Sequence, residues 1–281
     1  MPGGAPFNIK IAFNASGDTS FTGPGTITEL WYSGRQWRYD QKLADYSETR
    51  MSSNGRVSAK GTESLPLHVG MLRAAMFWPV GGNPSNGALR SAEAKWNGRP
   101  VTCFLLSANN EVKASPGRQW EETEYCVDKE SGLLQIYSRA PGTYVVYDYA
   151  GNLQFHGRQV PDQIAIFVSG KSVLEGKVTI EDANPADANL TADAGMVPAP
   201  VNNMNMRFPL AALNPAAGSG IQPVIVNATI DTKGNVVEAE ISAASNPALA
   251  SSALDVVKNA KFGPAGAWRQ AYINVRFTAG Q

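Results

Sequence analysis

Apolar and polar positions alternate through most of the first 182 residues of this 281-residue chain. Phe7, Ile9, Ile11 and Phe13 show the period of two that turns one face of a strand to a core. Ile27, Leu30 and Trp31 belong to a second strand that turns at Ser33-Gly34, and Trp37 and Tyr39 alternate in a third. Tyr46 and Met51 lie in a polar run that reads as a solvent-facing strand, and Gly55 opens another short one. Further strands are expected over 101–107, 121–128, 133–138, 143–149, 163–168 and 173–181. Lys129-Glu130-Ser131-Gly132 and Ser169-Gly170-Lys171 read as the turns of hairpins. A spacing of about ten residues per strand predicts an antiparallel meander.

The period changes between Pro66 and Trp78. Leu67, Met71, Leu72, Ala75, Met76 and Phe77 make a wide apolar face at helical spacing, with Pro66 suited to a helix start and Pro79 to a stop. A second helix is expected over 88–96, in ALRSAEAKW. Such helices have few places to go except one face of the sheet.

Residues 183–220 break the pattern. Ala, Pro and Asn fill 21 of these 38 positions, and only Asp187, Asp193 and Arg207 are charged. That is the composition of a linker, without the apolar periodicity of a core, although RFPLAALNP is suited to docking on the C-terminal stretch. That stretch is a compact pattern. Val224, Val226, Ala228 and Ile230 alternate, Thr232-Lys233-Gly234 turns the chain, and Val237, Ala239 and Ile241 face back. Asn246 suits an N-cap and Pro247 a first helical position, before Leu249, Ala253, Val256 and Ala260 recur at helical spacing. Ile273, Val275 and Phe277 form a closing strand. The fold class predicted is α+β, with a curved antiparallel sheet over 1–182 covered by one or two helices, a linker over 183–206 and a small ββαβ domain over 207–281.

Charge narrows the function classes. Lys plus Arg and Asp plus Glu are 24 each, and residues 1–182 hold 18 of each sign, so a nucleic acid is not the expected partner. No apolar run reaches the roughly 18–20 residues that span a bilayer. Met1 to Pro6 carry neither a charged nor an apolar signal region, which fits a cytosolic chain or one without its targeting segment, and a strand starting at once favours the second. Cys103 and Cys126 sit in strand-like runs with 22 residues between them. Neighbouring antiparallel strands would bring them to disulfide distance, worth about 3 kcal/mol in the chain-entropy model and pointing to an oxidising compartment such as the periplasm. Two buried thiols are the alternative.

Catalytic patterns are sparse. His68 and His156 are the two histidines, and neither stands in HExxH or beside GxSxG or CxxC pairs. Glu121, Glu122 and Glu124 read as a solvated strand edge, while Gly81-Gly82 and Gly23-Pro24-Gly25 read as turns lacking a phosphate-loop Lys-Ser/Thr. No enzyme activity, cofactor or metal is expected.

The C-terminal stretch resembles the C-terminal domain of the TonB family of periplasmic energy-transducing proteins. The resemblance rests on Phe208-Pro209, Gly220-Ile221, VIVNATIDTKGNV, Leu254-Asp255, Lys261-Phe262-Gly263-Pro264-Ala265 and the final Val275-Arg276-Phe277. Pro223 departs from the small residue usual before the first strand. No membrane anchor or long Pro-Lys or Pro-Glu spacer stands in the sequence, so the resemblance implies the fold and not force transmission. The functional idea for this stretch is protein binding by strand addition, against self-pairing into a dimer or an edge covered by the linker. The last strand, 272–277, is expected at a sheet edge, with Tyr272, Asn274 and Arg276 reading an extended peptide or envelope protein. The N-terminal region, through TELWYSGRQWRYDQ and its central apolar helix, is similar to the half-open barrels of LolA-like lipoprotein carriers. That likeness implies an acyl chain or lipoprotein held between sheet and helix, with Leu67, Met71, Leu72, Met76, Phe77 and Trp78 lining the pocket. Ordinary core packing is the plainer reading of the same six side chains.

Overall fold

The computed structural model describes residues 5–62, 65–77, 88–107, 118, 122–199, 210–213 and 221–278. The strands Phe7–Ala15 (β1), Gly23–Ser33 (β2), Gln36–Leu43 (β3), Tyr46–Ser53 (β4) and Arg56–Gly61 (β5) precede the helix Leu67–Phe77 (α1). Next come Ala88–Trp96 (β6), Arg99–Ser107 (β7), Thr123–Asp128 (β8), Leu134–Ala140 (β9) and Thr143–Asp148 (β10). The two-residue pieces Gln154–Phe155 (β11) and Arg158–Gln159 (β12) lead to Gln163–Val168 (β13) and Lys171–Asp182 (β14). After these stand Val197–Pro198 (β15), Leu210–Leu213 (β16), Ile221–Ile230 (β17), Val236–Ala244 (β18), the helix Ala250–Asn259 (α2) and Arg269–Thr278 (β19).

Most strands join one large curved antiparallel sheet in the order β15-β5-β4-β3-β2-β1-β14-β13-β10-β9-β8-β7-β6, open at β15 and β6. The meander read from the sequence is this sheet. β1 lies at its middle, paired to both β2 and β14, with Phe7 opposite Asp182. Phe7, Ile9, Ile11, Phe13 and Ala15 are buried on one face, while Lys10, Ala12 and Asn14 are exposed on the other. Tight turns carry positive φ where expected, at Ser169 and Gly170 between β13 and β14.

Two readings change. The stretch 88–96 is not a helix but a strand, paired to β7 from Ala88–Ser107 to Trp96–Arg99. Its residues are good helix formers, but Asn97 and Gly98 both take positive φ and make the two-residue turn that drives a hairpin. Strand β4 is not solvent-facing either. Tyr46, Arg50, Met51 and Ser52 are buried, because Glu48 gathers its polar neighbours: Arg50 donates to it at 3.0 Å, Gln41 at 3.0 Å and Tyr46 at 3.3 Å.

Helix α1 lies over the buried face, with Leu67, Val69, Met71, Leu72 and Ala75 in the main core. His68, Gly70, Arg73 and Ala74 are buried too, so α1 is covered on every side. A helix with only a sheet beneath it keeps a polar outer face. Here a second layer covers that face: the C-terminal module, a four-stranded sheet in the order β16-β19-β17-β18 with α2 on its far side. Asn246 accepts from the Ala248 N–H at 3.1 Å, the cap read from the sequence. Gly234, at φ 86°, makes the β17–β18 turn.

Up to residue 199 the segment between the two regions is strapped to the large sheet. Tyr32 donates to the Asn184 carbonyl at 2.5 Å, Asp193 receives Arg38 at 2.9 Å and Lys60 at 2.8 Å, and β15 pairs with β5.

Candidate functional site

Strand β17 has two inward faces, which explains why every residue from Val224 to Ile230 is buried. Val224, Val226, Ala228 and Ile230 meet Ala253 and Val257 of α2 in the module's own apolar core. Ile225, Asn227 and Thr229 point the other way, with Glu238, Glu240 and Ser242 of β18 and Gln270, Tyr272 and Asn274 of β19. This polar face closes over α1 and the rim of the large sheet, and Ile225 and Tyr272 enter the main core. Burial raises the Tyr272 hydroxyl pKa well above its ordinary value.

The contact has two centres. The first is the N-terminus of α1, where backbone N–H groups have no partner inside the helix. Glu238 accepts from the Leu67 N–H at 3.0 Å and from the Ser20 N–H at 2.8 Å, placing a carboxylate at the positive end of the helix dipole. His68 Nε2 lies 3.1 Å from both oxygens of Glu240. Gln270 Nε2 donates to the carbonyls of Leu67 at 3.0 Å and Pro66 at 3.2 Å, and Thr229 to that of Leu65 at 3.3 Å. Gly70 permits this approach, since a Cβ there would sit 2.1 Å from Gln270 Oε1.

The second centre is the β9–β10 turn. The hydroxyls of Thr143 and Ser242 lie 2.7 Å apart, Asn227 Nδ2 donates to Thr143 at 2.9 Å, and Ser242 donates to the Pro141 carbonyl at 2.6 Å. Ser169 reaches the carbonyls of Ile241 at 3.0 Å and Ser242 at 2.8 Å. Gly142, at φ 81°, has the Ser242 carbonyl oxygen 2.0 Å from where a Cβ would stand. Backbone meets backbone here.

Deeper under the sheet, Arg73 of α1 is fully buried, donating to Glu29 at 3.0 Å with its guanidinium 3.8 Å from the centre of the Tyr39 ring. Burial works hardest against its charge, but the Glu29 carboxylate, Tyr39 and Glu48 together outweigh that and raise the Arg73 pKa above its ordinary value.

Of the residues marked by the sequence, Cys103 and Cys126 stand opposite each other on β7 and β8 and form a disulfide, with Cα atoms 3.9 Å apart. Their sulfur atoms and Glu124 lie within 4.8 Å of one another, but the disulfide leaves no thiolate for a metal. Leu67, Met71 and Leu72 are packed in the main core, Met76 and Phe77 lie half-buried against it, and Trp78 is outside the described residues. The edge reading of the last strand is corrected. β19 is an inner strand, paired antiparallel to β17 and parallel to β16, which runs along it from Leu210–Tyr272 to Leu213–Val275. Tyr272 and Asn274 are buried in the docking face, and Arg276 is half-buried. Glu122 is no solvated edge: it is buried against Arg90, 2.7 Å from both Nε and Nη2. Glu121, Gly81 and Gly82 lie outside the described residues. His156 is exposed beside Asp182 at 2.5 Å.

Sequence reasoning missed Glu238, Glu240, Gln270 and Asn227. Their signal was present, because polar residues alternate with the module's apolar ones on strands whose other side already has a helix.

Comparison with known proteins places residues 216–279 in a match to the family described as Gram-negative bacterial TonB protein C-terminal. Among curated proteins none matches the chain. Of the solved structures, a LolA superfamily protein from Nitrosomonas europaea aligns over 68% of this chain and 92% of its own, at 9% identity and a TM-score of 0.38. A putative outer membrane lipoprotein-sorting protein domain from Vibrio parahaemolyticus aligns over 66% and 89%, at 9% identity and a TM-score of 0.37.

Proposed function

We propose that this protein is a non-enzymatic binding protein of the Gram-negative cell envelope, whose TonB-like module holds an extended segment of a partner protein along β19. The match over 216–279 and the Cys103–Cys126 disulfide support the location, since disulfides persist in oxidising compartments. The observation that carries the binding mode is β16. Four residues of the connecting segment lie along a ten-residue strand, pairing with Tyr272 to Val275. The backbone of β19 thus accepts an added strand on this side, and a partner longer than β16 gains further pairing at both ends. β16 is the resident that a partner replaces.

Screening the intact protein against a display library of extended peptides tests this, with Ala211→Pro and Ala212→Pro as paired variants. In a parallel ladder one of two successive residues directs its N–H to the neighbouring strand, so one variant loses a bond that holds β16. Peptides that cross-link to β19 and bind that variant several-fold more tightly support the proposal. Peptides that bind elsewhere, or with equal affinity to all three proteins, overturn it. The acyl-carrier reading requires α1 to leave the face that Leu67, Met71 and Leu72 now fill. A co-purifying acyl species in native mass spectrometry would favour it instead.

A further inference from the structure

We infer that the C-terminal module is held in a releasable docked state, and that its release frees the N-terminus of α1. The inference rests on the docking face itself and not on what β19 binds. Permanent interfaces are more apolar than transient ones, and the face the module turns to α2 is of the apolar kind. The face turned to α1, apart from Ile225 and Tyr272, is polar and, among the described residues, incompletely paired. Among the described residues, His68 Nδ1, Asn227 Oδ1, Gln270 Oε1 and both amide atoms of Asn274 are buried there without a hydrogen-bond partner. Each such group weakens the state that buries it, and each regains water when the module lifts away.

Opposing that cost are contacts that reach α1 from outside its own chain segment. The first-turn N–H of Leu67 is capped by Glu238, the Leu67 carbonyl is held by Gln270, and His68 faces Glu240. Loss of the module removes all three together, leaving the first turn of α1 uncapped. The opposing sets of groups make docking a two-position balance, with α1 tied to the module's position.

Amide hydrogen exchange on the intact protein tests this, comparing α1 with β1 at the centre of the large sheet. In the native protein α1 and the facing amides of β17 should exchange through an opening that leaves β1 protected. Asn274→Leu removes two unpartnered atoms and should slow α1 exchange about tenfold, one such group corresponding to roughly five- to 150-fold. Glu238→Gln places an amide donor against the N–H of Ser20 or Leu67 and should speed it at least tenfold, with β1 unchanged. Glu238→Gln is nearly isosteric and carries the test alone should leucine at 274 not be tolerated. Exchange of α1 in step with β1, unmoved by the variants, would overturn the inference.

Discussion

Gly70→Ala sets two effects of opposite sign against each other. In an isolated helix the change is favourable by up to about 1 kcal/mol, because alanine has less backbone freedom to lose. In this protein the new Cβ would stand 2.1 Å from Gln270 Oε1 and 2.6 Å from its Cδ and Nε2. Gln270 must therefore swing away and give up its bonds to the Leu67 and Pro66 carbonyls. Two hydrogen bonds at about 0.5–1.5 kcal/mol each, in a buried site, exceed the helix gain. Docking should weaken by about 1–2 kcal/mol while the helix itself is favoured. Hydrogen exchange in α1 and β17 should accelerate roughly five- to thirty-fold, and the module should lose structure at lower urea than the large sheet. Gly70→Ala combined with Gln270→Ala removes the collision. The pair should then be non-additive, with Gln270→Ala costing much less in the alanine background. If Gly70→Ala raises the urea midpoint and slows exchange in both α1 and β17, the two elements do not pack as described.

Arg73→Met should destabilise the large sheet by about 3–5 kcal/mol in urea unfolding, because Glu29 is left charged and buried, and Arg73→Met with Glu29→Leu should recover most of that. Reducing the Cys103–Cys126 disulfide should cost about 2–4 kcal/mol, read as a lower melting temperature in reductant; an unchanged transition would show that the β7–β8 pairing needs no covalent tie. Hydrogen bonds from Arg38 and Lys60 hold the Asp193 carboxyl well below the usual carboxylate range. Its folded pKa is depressed, so its contribution is complete above the unfolded value and is lost as pH falls through the folded one. The strap over 184–199 should therefore resist proteolysis into mild acid in the native protein and be cut readily at neutral pH in Asp193→Asn, with the core unfolding transition unmoved.

The sequence showed the sheet because one face of its strands is apolar and the other is not, as in β1. It showed the module for the same reason, since Val224 to Ile230 alternate toward α2. Two neighbouring signals compete at 88–96, where helix-forming residues stand before an Asn-Gly turn, and the turn prevails because cross-strand pairing outweighs propensity in a sheet. The docking face was harder to see. Asn227, Glu238, Glu240 and Gln270 are polar, and polar residues on alternate strand positions ordinarily face water. Only the burial of α1 from Leu67 to Ala75, His68 and Arg73 included, reveals that a second layer needs those groups as partners. The position of β16 was foreshadowed by RFPLAALNP, but a four-residue strand has too short a pattern to set its partner or direction.

The docked position of the module is tested most directly by introducing cysteines at Thr143 and Ser242, whose hydroxyl oxygens lie 2.7 Å apart. That separation, from the turn of one region to a strand of the other, puts two sulfur atoms within bonding reach. Under mild oxidation both new thiols should disappear in a chain that stays monomeric, with the Cys103–Cys126 bond intact by peptide mapping. Thiols that remain open to alkylation, or that join only between chains, would contradict the docking of the module over α1.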